Sequence, residues 1–110
     1  MKQYMVDQLR ESDFDKLEDQ LNRHAEAGDL AGIYWIPLPE SLLGEVQKEH
    51  GGCQPFYFAV NLNRQAISFE LLIRTRKRLR CNCIHYADKD QREYILTYAD
   101  ELFERLMLIT

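Results

Sequence analysis

From Phe56 to Ile73 the chain places apolar residues at alternate positions in two successive runs. Phe56, Phe58, Val60 and Leu62 share one parity. Ile67, Phe69, Leu71 and Ile73 share the next, and Asn61 to Gln65 supplies turn-forming residues between them. Successive side chains of a strand point to opposite faces, so this spacing predicts neighbouring strands with a common buried face. The opposite face would carry Tyr57, Ala59 and Asn61, then Ser68, Glu70 and Arg74. A sheet that buries one face needs something laid over it, and the rest of the chain must provide that cover.

Two segments have the helical period that such a cover requires. Phe14, Leu17, Leu21 and Ala25 recur at three- and four-residue steps, with Ser12 as the expected N-cap and Asp13 and Asp15 at the positive helix end. Gly28 is the expected left-handed stop. Near the C-terminus, Asp88 and Gln91 have capping-box spacing, and Ile95, Tyr98, Leu102, Leu106 and Ile109 form the stripe. Leu96, Phe103, Met107 and Leu108 lie off that stripe, which suggests a second buried face and a homodimer through this helix.

Shorter elements fill the order. Tyr4 to Leu9 is a weak strand candidate, Gly32 to Leu38 a β-branched and aromatic strand closed by prolines, and Pro39 to His50 a short helix with Leu42, Leu43 and Val46 inward. Ala66 to Tyr86 exceeds an ordinary strand, so a hairpin turn is placed near Thr75 to Arg78 and a last strand over Leu79 to Tyr86; one long bent strand is the rival. The expected fold is a single α+β domain over 1–110. Its mostly antiparallel sheet of four to five strands is covered on one face by two longer helices, in the order β-α-β-(short α)-β-β-β-α.

Charge is concentrated. Arg74, Arg76, Lys77, Arg78 and Arg80 put five positive charges into seven residues of a chain with net charge −4. Setting those five aside from 14 basic residues leaves nine against 18 acids, a balance of −9. An acidic body argues against a general nucleic-acid binder. A local basic segment rich in arginine suits carboxylate or phosphate contacts. The alternatives are solvated charges that protect a sheet edge, or pairs with the chain's own acids, above all on the final helix.

Cys53, Cys81 and Cys83 are an odd number of thiols, so no complete internal disulfide framework forms, and a Cys81–Cys83 bridge would be strained. The N-terminus lacks a signal-like apolar run and no segment has the length of a membrane span, which fits a reducing cytoplasm. On a strand, Cys81, Cys83 and His85 would share one face, and His50 and Cys53 form a His-x-x-Cys pair. Together these are zinc-type ligands, but the spacing matches no common motif, and the preferred reading makes Cys81 and Cys83 core residues in phase with Leu79. Cys53 reads as a loop cysteine beside the helix-capping Gly51-Gly52; the alternative is a reactive thiol paired with His50, which Arg74 to Arg80 could also promote, but no orienting third group is identifiable. His24 reads as a core-edge histidine. The acid pairs Asp13/Asp15 and Asp88/Asp90 read as helix-end charges, and the glycines match no nucleotide-binding loop.

The sequence therefore predicts a non-catalytic binding or adaptor domain without cofactor. Arg74, Arg76, Lys77, Arg78 and Arg80 would hold an acidic protein or peptide, with no membrane partner. The alternatives are a metal- or thiol-dependent protein centred on Cys81, Cys83 and His85 with Cys53, and an RNA-contacting domain using Tyr57 or Tyr86 for stacking.

Overall fold

A computed structural model describes residues 1–108. The fold is α+β with the predicted element order. Strands β1 (Gln3–Val6), β2 (Glu26–Ala27), β3 (Ile33–Pro37), β4 (Phe56–Leu62), β5 (Ile67–Glu70), β6 (Leu72–Thr75) and β7 (His85–Tyr86) are all paired antiparallel. Helices α1 (Glu11–His24), α2 (Glu45–Glu49) and α3 (Lys89–Arg105) interrupt them. The sheet has seven strands in place of the expected four to five, because two-residue strands extend it beyond β3 and β6.

β4 is the centre. Along one edge it pairs with β3 from Tyr57 to Asn61, Phe58 opposite Ile36 and Val60 opposite Tyr34. Its other edge is shared by two strands: Val60 to Leu62 pair with β5, and Phe56 and Tyr57 pair with β6. Two extra residues accumulate on the β5–β6 side. The excess is absorbed at Leu71, whose N–H donates to Lys2 and whose carbonyl accepts from Ala87. The run from Ile67 to Thr75 is thus one bent edge, not a continuous strand.

The two faces differ as the alternation requires. Phe56, Phe58, Val60, Ile67, Phe69 and Ile73 are almost fully buried. α3 lies over that face, with the Tyr98 ring edge-on to Phe58 at 5.6 Å and to Phe69 at 6.3 Å. α1 covers the same face through Phe14, Leu17 and Leu21, and Asn22 accepts the hydroxyl proton of Tyr34 at 2.7 Å. Phe103 is buried in this core, so that residue is not spare for a partner copy, whereas Met107 remains exposed. Ile109 lies outside the described residues. Among the described residues the opposite face has no long helix over it; it carries Ile33, Trp35, Tyr57, Leu72 and Arg74.

Several local expectations change. α1 begins at Glu11, and Arg10 rather than Ser12 is its cap: the Arg10 backbone N–H and guanidinium both donate to Asp13, at 3.0 and 3.2 Å. The ion pair holds the Asp13 carboxyl below its ordinary pKa. The left-handed glycine is Gly32 (φ 83°), not Gly28, and a Cβ on it would clash with the Leu62 carbonyl oxygen. Pro39 to His50 divides into a 3-10 turn at Glu40–Leu42 and the short helix α2. The Asp88–Gln91 capping box forms as expected, with reciprocal bonds of 2.9 and 3.1 Å.

Candidate metal centre

The strand expected over Leu79 to Tyr86 is reduced to β7. Residues 76–84 form a loop, exposed from 76 to 80, that closes in a turn, where the Ile84 N–H donates to the Cys81 carbonyl at 3.0 Å. The cause lies in the partner. Thr75 stands opposite Phe56, the first residue of β4, and the preceding Pro55 has no N–H with which to continue the ladder. Cys81 and Cys83 therefore leave the sheet, and their parity with Leu79 has no meaning: Leu79 is 99% exposed while Cys83 is fully buried.

This turn folds back onto the segment between α2 and β4. The ligand atoms of His50, Cys81 and Cys83 all lie within 4.8 Å of one another. Cys53 lies outside that group of three, but close enough to act on the titration of the Cys81 and Cys83 thiols. Three zinc-type side chains thus converge from two segments that are distant in sequence, with Cys53 close by at the end of the turn that follows His50. His85 does not join them. It pairs with Ile73 in β7, and its Nδ1 lies 3.0 Å from the Tyr86 carbonyl. The histidine of the cluster is His50, which sequence spacing had linked only to Cys53.

Each side chain is positioned by local backbone structure. His50 follows α2, and its Nδ1 lies 2.6 Å from the Val46 carbonyl oxygen. A carbonyl can only accept, so this contact calls for the proton on Nδ1 and leaves the Nε2 lone pair as the ligand atom. Cys53 ends the 3-10 turn Gly51–Cys53; its N–H donates to the His50 carbonyl at 2.9 Å, and its own carbonyl accepts from the Thr75 hydroxyl. The Cys83 carbonyl accepts from the buried amide of Gln47 at 3.4 Å. The Gln47 oxygen in turn accepts from the Gly44 N–H and from Gln91, both at 2.9 Å, and Gln91 also donates to the Leu42 carbonyl. This buried glutamine pair ties α2, the start of α3 and the Cys81–Cys83 turn into one unit. Sequence reasoning found Gln91 as a cap and missed Gln47, which has no apolar-stripe or motif signal.

Electrostatics divides the thiols. Burial, with the neighbouring Cys81 and Cys53 thiols, pushes Cys83 up to about 12. Cys81 is half-buried, and hydrogen bonds from the Cys83 thiol and backbone lower its pKa, with a smaller contribution from His50. For Cys81 and Cys83 the causes lie within the cluster and not in Arg74 to Arg80.

The basic segment itself is mostly exposed. Arg74 donates to Glu70 at 3.2 Å, and Arg76 donates to Glu26 at 2.7 Å while lying over the Trp35 and Tyr57 rings. These acids sit on β5 and β2, not on the final helix. Lys77, Arg78 and Arg80 form no ion pair among the described residues.

Set beside known proteins, the chain matches no family model, no curated protein sequence and no solved structure. Among the described residues no helix is long and apolar enough to cross a membrane.

Proposed function

We propose that this chain is a small zinc protein in which His50, Cys53, Cys81 and Cys83 hold one tetrahedral ion. The observation that carries the reading is the approach of His50, Cys81 and Cys83 to within 4.8 Å; Cys53, close enough to act on the titration of both other thiols, is the fourth ligand of the proposal. Zinc bonds of about 2.3 Å to sulfur and about 2.0 Å to nitrogen place tetrahedral ligand atoms roughly 3.5–3.8 Å apart. Small side-chain movements bring the cluster to that spacing. Three thiolates and one imidazole close the coordination sphere, which suits a structural role better than catalysis. The Val46 carbonyl on His50 and the Gln47 amide on the Cys83 carbonyl are outer contacts of the kind that fix ligand orientation. Free thiols in this arrangement persist in a reducing compartment, which points to the cytoplasm.

The test is metal content and thiol reactivity on protein purified without chelators. The expected result is about one zinc per chain, with thiols protected until chelator is added. His50→Ala abolishes metal retention, and His85→Ala leaves it intact. Metal-free protein whose thiols react only on unfolding would return the cysteines to an ordinary core role. Iron in place of zinc would replace the structural reading with a redox one.

A further inference from the structure

The face of the sheet without a long helix bears a groove of about 530 Å³, bounded by β3, β6 and the basic loop. Its apolar lining comes from Ile33, Trp35, Leu72 and Ile84. Two leucines on its rim, Leu30 and Leu79, are 73% and 99% exposed. Exposed leucines are ordinary when scattered, but these two line one concavity that also contains a tryptophan. Arg74, Arg76 and Arg78 also line it, against one acid, Asp29.

The arginines are unequally committed. Arg76 is engaged with Glu26 and with two aromatic rings. Arg74 reaches Glu70 through one nitrogen, while its buried Nε finds no acceptor among the described residues. Arg78 is exposed and has no acidic partner among the described residues. The groove thus pairs an apolar floor with guanidinium groups that retain donor capacity, in the planar form that grips carboxylates bidentately.

We propose that this groove binds an acidic peptide segment, with a bulky apolar side chain against Trp35 and flanking carboxylates on Arg78 and Arg74. The charge complementarity is local: the rest of the chain carries −9, which repels a long polyanion such as nucleic acid but leaves a short acidic segment free to meet the arginines. The proposal stands without the metal centre. It gains a consequence from it, because Arg78 and Leu79 lie on the loop whose far end is fastened at Cys81.

Trp35 is the single tryptophan of the chain, so its emission reports on the groove without a label. The experiment titrates native protein with the capped peptide Glu-Asp-Phe-Asp-Glu and with its Gln-Asn-Phe-Asn-Gln counterpart. The acidic peptide is expected to shift Trp35 emission saturably and the neutral one to bind at least about tenfold more weakly. Arg78→Glu and Leu79→Ser are solvent-exposed changes that leave the far-ultraviolet dichroism intact, and each weakens binding about tenfold or more. No Trp35 response up to roughly 1 mM acidic peptide, equal binding of the neutral peptide, or a stronger response to single-stranded RNA would each overturn the proposal. Binding that survives chelation with unchanged affinity refutes the coupling to the metal and leaves the groove; loss of metal binding in His50→Ala with the peptide still bound tells the two readings apart.

Discussion

Gln47 is the residue whose role exceeds its prominence in the sequence. It is fully buried, and its amide serves the Gly44 N–H, the Gln91 side chain and the Cys83 carbonyl. Replacing it with alanine leaves the Gly44 N–H, one bond of the Gln91 amide and the Cys83 carbonyl without a partner, and an unpaired buried group costs about 1–3 kcal/mol. Gln47→Ala should therefore lower stability by about 2–4 kcal/mol, measured as a fall in the urea midpoint at constant slope. If the metal reading holds, the same variant also retains zinc less tightly, because the Cys83 carbonyl loses its anchor. At this scale the sequence was legible where chemistry is local. Asp88 and Gln91 could be paired from spacing alone, whereas Gln47 and His50 acquire their roles only through contacts with distant residues.

Elements followed the hydrophobic period wherever a partner strand was present to reward it. β4 appeared over the same residues that its alternation marked, and α1 and α3 used the stripes read from Phe14 and Ile95. The failure lay beyond Thr75. Alternation was extended from β6 through Cys81 and Cys83 to His85, but the ladder stops where Pro55 precedes β4, and parity carries no information in an unpaired loop. The connection from β2 to β3 offers a test of backbone constraint. Gly32 adopts φ 83°, with the Leu62 carbonyl oxygen where a methyl group would go. Gly32→Ala should destabilise by more than about 1 kcal/mol, and Gly51→Ala, with nothing within 4 Å of its added methyl, should cost much less. Thermal melts of the two variants side by side check this.

For the whole molecule, pH separates the metal-free and metal-bound proteins. The Cys83 thiol rises from an ordinary 9.0 to about 12 on folding. A raised thiol pKa favours the protonated native state, so its contribution is complete below pH 9 and disappears as pH climbs toward 12. Chelated protein should thus lose urea resistance across that alkaline window. Zinc reverses the sign, since ligation needs thiolates: loaded protein should gain stability as pH rises from acid, and loading at neutral pH should release roughly two to three protons, read by calorimetry in buffers of different ionisation enthalpy.

The proposed ligands at 50 and 53 are separated from those at 81 and 83 by the entire β4–β5–β6 meander. An ion joining them makes that meander a closed ring of chain, about thirty residues around, in the manner of a cross-link. Such a ring acts on the unfolded ensemble as well as on the native contacts, and its entropic effect varies only with the logarithm of its circumference. Doubling the ring would alter closure by about 0.6 kcal/mol, so the Asn63–Gln65 bend is a place where the chain can lengthen with little loss to the clasp.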